Sequence, residues 1–578
     1  MMSPMRSKQK YNLSGGKAWG RRTGRYLTIA GWLPAYKCAW LPVDIIAGIA
    51  LVGLLVPEGM GYAGIAGVPP QAGLYAALAG LFIYALFGSS RQVAVSATSS
   101  TAVIVAATVG PLAGADPGRY AELTSAVVLL AGLIFLAAWL ARLGFVSDFI
   151  ARPVVLGFVF GLALIIIVRQ ASKLLGIHVN EGNFFKMSWE VLSNLGHANL
   201  PTLTVTLTGL ATLVILGRYA KKVPAALLVL AGGIAASYSL GLAGRGVALV
   251  GAVPSGLPAP SLPGISWGDL STLLAGAAGI VLVAYAEGLG SARMLADRHK
   301  YEIDPGAELR ATGLANIGAS LLGGIPVAGG LSGSSANDSN GARSEISSMA
   351  ASAFLLLTLL LLTPLFRQLP EAVLGAIVVY AVRHMMNIKE IMRFARIRRD
   401  SLSMILPALF GVLLLGVLPG LALAVVLSFA VIANELSRPR VVLLGKMKKT
   451  GAWVDAARHP EAQRFTGLSI YRIQGVLFFA SADVVRNAIR KSVQKADPRP
   501  KTVAIDLEAL YDIDATSVVM LDDLWQDLNS AGISVVFTNV HRPVREVLKR
   551  EGLIQRLGLG KFYSSVDSAV AQLGQAGN

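Results

Sequence analysis

Residues 58–63 read EGMGYA and residues 287–292 read EGLGSA, and each hexapeptide lies inside a long apolar stretch. Both combine a glutamate with the same glycine spacing. The glycines alone carry little information in a chain that contains 62 of them, but a carboxylate in an apolar segment needs a physical reason. An ionisable group at membrane depth usually faces a cavity and serves transport. The alternative is that both glutamates lie at helix ends near lipid headgroups.

The composition is that of an integral membrane protein. Of 578 residues, 54% are hydrophobic and 15% are charged, which is too apolar for a soluble core to bury. Residues 1–40 contain eight Lys or Arg and no acidic residue, and the apolar run that follows is longer than a signal peptide. Cys38 is the single cysteine, which excludes disulfides within the chain and a cysteine-based metal cluster.

Fourteen apolar segments follow one another, several of them shorter than the ~20 residues of a typical membrane span. They cover residues 42–66, 72–89, 93–110, 122–141, 149–168, 201–217, 223–242, 271–294, 308–322, 327–344, 347–365, 369–382, 401–416 and 419–435. The net charge of +18 is concentrated at the ends of these segments, which indicates membrane topology rather than a nucleic-acid partner.

Basic residues follow the even-numbered segments, and the positive-inside rule then places both chain termini in the cytoplasm. Arg169, Lys173 and Lys186, after the fifth segment, are exceptions. The residues that set the orientation are Arg91, Arg142, Arg218, Lys221, Lys222, Arg293, Arg298, Lys300, Arg343, Arg393, Arg396, Arg398 and Arg399.

Beyond residue 437 the sequence changes character, and predicted strands alternate with predicted helices, as in an α/β domain. GLSIYRIQGVLFFAS (467–481) reads as two strands, followed by a helix near 482–495. We therefore predict a basic cytoplasmic N-terminal segment (1–40), a transmembrane transport domain (41–436), a linker (437–449) and a cytoplasmic α/β domain (450–578).

Fourteen segments divide into two sets of seven near residue 250. An odd number of spans in each half means that the second half is inverted in the membrane, an architecture that many secondary transporters use. Glu58 and Glu287 both fall in the first segment of a half. We therefore predict that they face each other near the interface between the repeats.

The third segment of each half is unusually polar. SATSSTA (96–102) places hydroxyl groups in an apolar segment, and GGLSGSSANDSNGA (329–342) adds glycines and Asn337. Glycine favours a break in the helix, and two half-helices whose N-termini point at the centre would form an anion site. The alternative is that these small residues only allow close helix packing.

Two long motifs carry a family resemblance. VPEGMGYAGIAGVPPQAGLYA (56–76) resembles the signature of the sulfate permease (SulP) family of anion transporters, and GLANIGASLLGGIPVAGG (313–330) with SSANDSNGAR (334–343) is similar to its tenth-helix region. The tail resembles the STAS domain, which sulfate transporters share with anti-sigma-factor antagonists. The resemblance implies core and gate subdomains in a seven-plus-seven inverted repeat, elevator-type movement and a homodimer.

The resemblance also implies a substrate pocket between the third and tenth half-helices. Its candidate substrate residues are Tyr62, Thr98, Ser99, Ser332, Gly333 and Asn337, and its candidate coupling-ion residues are Glu287, Ser291 and Glu58. Tyr62 offers a hydroxyl-bearing pocket wall, with simple packing as the alternative. Glu287 is a poor partner for an anion unless it is protonated or paired with a cation, so we predict that it binds the coupling proton or sodium ion.

The sequence departs from the family pattern at three places. Gly333 stands where many members carry an arginine, so anion attraction would depend on helix dipoles and a co-transported cation. Ser96 and Ala97 replace a Gly-Pro that often opens the third helix. In the tail, Ala515 occupies the position of the phosphorylated serine of anti-sigma antagonists, which leaves Thr516 and Ser517 as possible acceptors.

We predict a secondary transporter of the inner membrane that takes up small oxyanions with protons or sodium, sulfate first, with bicarbonate or C4-dicarboxylates as alternatives. No enzyme motif and no cofactor are predicted. Two other classes stay open: a membrane-anchored signalling protein that acts through its tail, and a nucleobase permease of the same architecture.

Overall fold

The structure is a computed structural model that describes residues 27–114, 116–144, 152–179, 182–220, 224–397 and 401–573. The basic residues before residue 27, together with Lys221, Lys222, Arg398 and Arg399, lie outside these ranges, as do the first residues of the fifth predicted segment. The chain divides into two compact units, Met1–Ser428 and Phe429–Asn578.

Helices dominate the first unit. A short helical turn, Ile29–Trp32, comes first. The first half then contains α1 (Leu41–Ala66), α2 (Gln71–Phe87), the short strand β1 (Val95–Ala97), α3 (Ser99–Ala113), α4 (Pro117–Leu140), α5 (Arg152–Leu175), α6 (Phe184–Ser193), α7 (Leu200–Tyr219) and α8 (Ala225–Leu240).

The second half repeats this order. It contains α9 (Leu270–His299), α10 (Pro305–Leu321), the strand β2 (Val327–Gly329), α11 (Leu331–Ser339), α12 (Ile346–Leu357), α13 (Glu371–Val382), α14 (Ile388–Ile397), α15 (Leu402–Leu415) and α16 (Val417–Leu436). Each of the fourteen predicted segments coincides with a helix or a strand–helix unit in the described residues. Seven of the described helices are long and apolar enough to cross a membrane, and five apolar helices are shorter.

Helix packing follows the inverted repeat. Helix α1 packs on α12 as its equivalent α9 packs on α4, and α5 packs on α15 as α13 packs on α7. Helices α2 and α10, which are equivalent to each other, are in direct contact. The first four and the eighth to eleventh segments therefore form one bundle, the core subdomain, and the remaining segments form a second bundle, the gate subdomain.

The glycines of the first motif have a packing reason. A Cβ atom placed on Gly73 of α2 would lie 1.9 Å from the carbonyl oxygen of Gly59 in α1, which is far inside van der Waals contact. Only glycine allows the two backbones to approach this closely. The motif thus fixes the α1–α2 crossing directly beside Glu58.

The second unit is an α/β domain built on one six-stranded sheet of order β4-β3-β5-β6-β7-β8. Strands β5 to β8 are parallel, and β3 is antiparallel to both β4 and β5. Its elements are β3 (Arg440–Lys446), β4 (Trp453–Asp455), β5 (Leu468–Gln474), α17 (Phe479–Lys495), β6 (Thr502–Asp506), α18 (Ala515–Ser530), β7 (Ser534–Thr538), α19 (Arg542–Arg550), α20 (Leu553–Leu557), β8 (Phe562–Tyr563) and α21 (Val566–Leu573).

Two segments of this unit differ from the predictions. Strand β3 lies within the predicted linker, where the run Arg440–Leu443 joins the sheet beside β5. The second strand predicted in GVLFFAS is wrong, because α17 already begins at Phe479. The Phe478 N–H donates to Ser481 Oγ at 3.0 Å, and this local cap starts the helix where the apolar letters alone suggested a strand.

Candidate functional site

The two polar third segments meet at a short antiparallel ladder. Strand β1 pairs with β2 over three residues, from Val95 opposite Gly329 to Ala97 opposite Val327. Each strand runs directly into a helix, α3 after β1 and α11 after β2. Because the strands are antiparallel, the two helices run away from the ladder in opposite directions, and both N-termini lie at the centre of the core subdomain.

Side chains from both halves hold this crossing in place. Asn316 of α10, with no exposed surface, accepts from the Val327 N–H at 3.0 Å and donates to the Val327 carbonyl at 3.0 Å. The Asn337 Nδ2 donates to the Gln92 carbonyl at 3.1 Å, so Asn337 joins α11 to the segment before β1. The ladder is thereby supported on both sides although it is only three residues long.

The start of each half-helix leaves backbone donors available. The N-cap residues Thr98 and Gly330 both have extended backbone, and neither forms a side-chain cap hydrogen bond. The first N–H groups of a helix have no partner within the helix and carry roughly half a positive charge between them. Two such ends at the centre of the core subdomain form a site suited to an anion.

A carboxylate lies at each of these helix starts. Ser332 Oγ donates to Glu58 Oε1 at 3.0 Å, and Ser100 Oγ donates to Glu287 Oε1 at 2.5 Å. Ser100 and Ser332 are each the second residue of their half-helix, and Glu58 and Glu287 are equivalent in the repeat. The structure thus contains the same carboxylate–serine pair twice, related by the inverted repeat.

Most predicted site residues surround these pairs. Tyr62 lies one turn after Glu58 on α1, and Thr98 Oγ1 lies 3.3 Å from the Oγ of Ser100, the serine that contacts Glu287. Ser291 is buried one turn after Glu287 on α9. Ser99 is directed away from the carboxylates, since its hydroxyl lies 3.4 Å from the sulfur of Met385, which follows gate helix α13.

A cavity of about 120 Å³ reaches Glu287 between α5, α9 and α16. Its other described lining residues are apolar, among them Phe158, Leu282 and Leu421. Glu58, by contrast, is only 5% exposed. Glu287 therefore lines a cavity between the core and gate subdomains, whereas Glu58 is closely surrounded by protein.

Comparison with known proteins decides the family. The model of the sulfate permease family matches residues 41–408, and that of the STAS domain matches residues 459–569. A probable sulfate transporter of Mycobacterium tuberculosis is 34% identical over 550 residues, which cover 94% of this chain and 98% of the relative. The chain belongs to the sulfate permease family.

Further relatives extend this result. Sulfate transporter 4.1 of Arabidopsis thaliana, a chloroplastic protein, is 29% identical over 562 residues, covering 93% of this chain and 81% of the relative. The murine solute carrier 26 family member A9 anion transporter superimposes with a TM-score of 0.88 at 22% identity, covering 99% of this chain and 97% of that one. The transmembrane domain of the cyanobacterial bicarbonate transporter BicA gives 0.60 at 24% identity, covering 66% and 97%.

These findings confirm the predicted fold class, a helical membrane transporter with a C-terminal STAS domain. As a sulfate permease family member with relatives of this kind, the protein is a multi-pass membrane anion transporter. The two open classes, a signalling anchor and a nucleobase permease, have no support from these relatives.

The structure gives the surroundings of two positions at which the sequence departs from the family pattern. A Cβ atom on Gly333 would lie 3.4 Å from both Ala94 Cβ and Leu55 Cδ2, so a side chain there would start among apolar groups. The third helix begins at Ser99, after the β1 strand that contains Ser96 and Ala97.

The STAS domain presents Ala515 as the first residue of α18, with Asp514 as its N-cap. Burial opposes ionisation of Asp514, but hydrogen bonds from Ser517 and from the Phe479 N–H hold the pKa of its carboxyl below the usual value. Of the two remaining hydroxyls, Ser517 is fully buried and Thr516 is exposed. Thr516 is therefore the accessible hydroxyl at this helix start.

The predictions made from sequence missed two residues of the site. Ser100 rather than Ser99 contacts Glu287, and Asn316 supports the ladder. Aligning the two half-helix starts would have identified Ser100, because Ser332 was already a candidate at the equivalent position. Asn316 lies within the quoted motif GLANIGASL, but its role depends on contact with a strand that has no local signal.

Proposed function

We propose that this sulfate permease takes up small oxyanions, sulfate first, in symport with protons or sodium. The relatives named as sulfate transporters support this substrate. The observation that carries the proposal is the repeated carboxylate–serine pair at the two half-helix starts, because it places an ionisable acid directly beside a site with free backbone donors.

The pair provides a physical link between anion and cation. While Glu287 is ionised, its carboxylate accepts the hydrogen bond from Ser100 at the start of α3. Its negative charge then repels the substrate anion from this helix start. Protonation, or a sodium ion held by Glu287, Ser291 and Thr98, neutralises that charge and releases the helix end for the substrate. Substrate and coupling cation would then bind together, which is the requirement for symport.

In the proposed elevator movement, the core subdomain slides against the gate subdomain with the site on the core. At the contact between α1 and α13, a Cβ atom on Gly61 would lie 2.5 Å from Val378 Cγ2, so this core helix and this gate helix pack closely. Tyr62, Thr98, Ser99, Ser332, Gly333 and Asn337 would travel with the substrate.

Membrane location, orientation, assembly and domain organisation are part of the same proposal. The chain would lie in the inner (plasma) membrane with both termini cytoplasmic, as a homodimer. It would divide into the regions predicted above, 1–40, 41–436, 437–449 and 450–578, with strand β3 of the region 437–449 belonging to the sheet of the STAS domain. The STAS domain would serve as a scaffold or dimer contact.

A competition panel tests the substrate. Purified protein in liposomes should accumulate labelled sulfate, and unlabelled sulfate should compete at least tenfold better than bicarbonate, succinate, fumarate, chloride or uracil. The panel should be run with separate proton and sodium gradients, one of which should drive uptake. Stronger competition by bicarbonate or a C4-dicarboxylate would identify that anion as the substrate. Stronger competition by uracil would contradict an oxyanion site.

Removal of residues 437–578 tests whether the membrane unit transports by itself. We expect the shortened protein to accumulate labelled anion in liposomes within about tenfold of the full chain, because the site lies wholly within the first compact unit. The control is the shortened protein with Glu287→Gln. Complete loss of uptake in a well-folded shortened protein would contradict this independence.

A further inference from the structure

A cavity of about 310 Å³ in the first unit lies between α3 of the core and α5, α6, α15 and α16. Its walls are mostly apolar or glycine, and among the described residues that line it Arg169 of α5 is the ionisable one. The described lining therefore contains a single positive charge, which lies between the core and gate subdomains.

Among the described residues Arg169 has no acidic partner, unlike the other two cations of its helix. Lys173 Nζ lies 3.6 Å from Glu371, and Arg152 lies 3.8 Å from Glu390. Within the described residues Arg169 forms no ion pair, and its Nε is buried without a hydrogen-bond partner. A guanidinium has five N–H donors, and leaving one unsatisfied in a buried place costs free energy. An anion in the cavity would supply an acceptor for this guanidinium.

The position of the cavity relates it to the anion site. Ala106 and Ala107 line it from α3, about 10 Å along the helix axis from the start at Ser99 if the rise is about 1.5 Å per residue. With the N-terminus in the cytoplasm, α3 and α5 both run outward, and the cavity lies on the outer side of the site. An incoming anion would pass Arg169 first.

We infer that Arg169 forms an outer anion-attracting vestibule that supplies the positive charge missing at Gly333. This inference rests on the proposed function and adds a residue that determines affinity for the anion. Arg169 would raise the local concentration of a doubly charged oxyanion at the mouth of the site without taking part in coupling at Glu287.

The test is the dependence of sulfate uptake on Arg169 and on salt. We expect Arg169→Gln to raise the sulfate KM about tenfold at low ionic strength, with a smaller increase at high ionic strength, since salt screens an attraction across an aqueous vestibule. The maximal rate should change less than twofold. Arg169→Lys should restore most of the affinity, because it keeps the charge.

A matched control is Arg245→Gln, which removes the same charge from an exposed position after α8 on the predicted outer side. Its KM should stay within twofold of the unchanged protein. Arg169→Met, close in length and apolar, is a second variant in case the glutamine variant does not assemble, and its KM should also rise about tenfold.

The outcomes separate this inference from the proposed function. If the unchanged protein transports sulfate and the Arg169 variants leave KM unchanged, or lower only the maximal rate at every salt concentration, the vestibule role is wrong. If Arg245→Gln raises KM equally, a general surface charge explains the effect and the inference is overturned. If the unchanged protein takes up no oxyanion, the proposed function itself fails.

Discussion

Replacing Glu287 with glutamine is expected to abolish gradient-driven accumulation of the anion while leaving anion exchange measurable. Glutamine keeps the size of the side chain and can accept from Ser100, which now donates to Glu287 at 2.5 Å. It can neither bind a proton nor neutralise a sodium ion. A permanently neutral group leaves the α3 start open to the anion, so binding continues without its link to the cation gradient.

The expected loss in accumulation driven by the gradient is about 100-fold, near the upper end of the roughly 5- to 150-fold that coupling free energies of about 1–3 kcal/mol correspond to. The measurement is labelled-sulfate uptake in liposomes with an imposed proton or sodium gradient, compared with exchange when sulfate is present on both sides. Exchange should remain within about tenfold of the unchanged protein.

Glu302→Gln is the matched control, since Glu302 is an exposed carboxylate just beyond α9. It should leave both accumulation and exchange unchanged. If Glu287→Gln retained full gradient-driven uptake, Glu287 would not belong to the coupling mechanism. The equivalent residue Glu58 would then be the next candidate.

Replacing Asn316 with leucine is expected to destroy anion binding and to lower the free energy of unfolding by about 2–5 kcal/mol. Leucine has a similar volume but makes neither hydrogen bond to Val327, each 3.0 Å in the structure. The N–H and carbonyl of Val327 would then be buried without these partners. A three-residue ladder has little else to hold its register, so α11 should lose its position relative to α3.

The measurements are thermal unfolding in detergent and sulfate affinity by equilibrium binding. Asn340→Ala, at the exposed end of α11 where the side-chain Nδ2 donates to the Ala336 carbonyl, should change both values little. Sulfate affinity within twofold of normal in Asn316→Leu would show that the ladder does not need this side chain. A lowered unfolding temperature without loss of affinity would limit Asn316 to a structural role.

The sequence by itself determined much of this protein. Hydropathy is a property of contiguous residues, so the fourteen segments were recognisable without a neighbour in space. An odd number of spans in each half predicted the inversion, and the repeated hexapeptide marked Glu58 and Glu287 as equivalent. The alternation of strands and helices in the tail could also be predicted from contiguous residues. The exception lies near Phe479, where a serine cap starts a helix inside an apolar run that had predicted a strand.

The tertiary structure decided which atoms meet. Whether Ser99 or Ser100 contacts Glu287 depends on the angle at which α3 leaves the ladder, and that angle is fixed by pairing with residues more than two hundred positions away. Asn316 and Arg169 have no distinctive local pattern, because one acts through contact with β2 and the other through a cavity formed by helices from both halves. Local periodicity specifies which face of a helix is apolar, but only packing specifies what that face contacts.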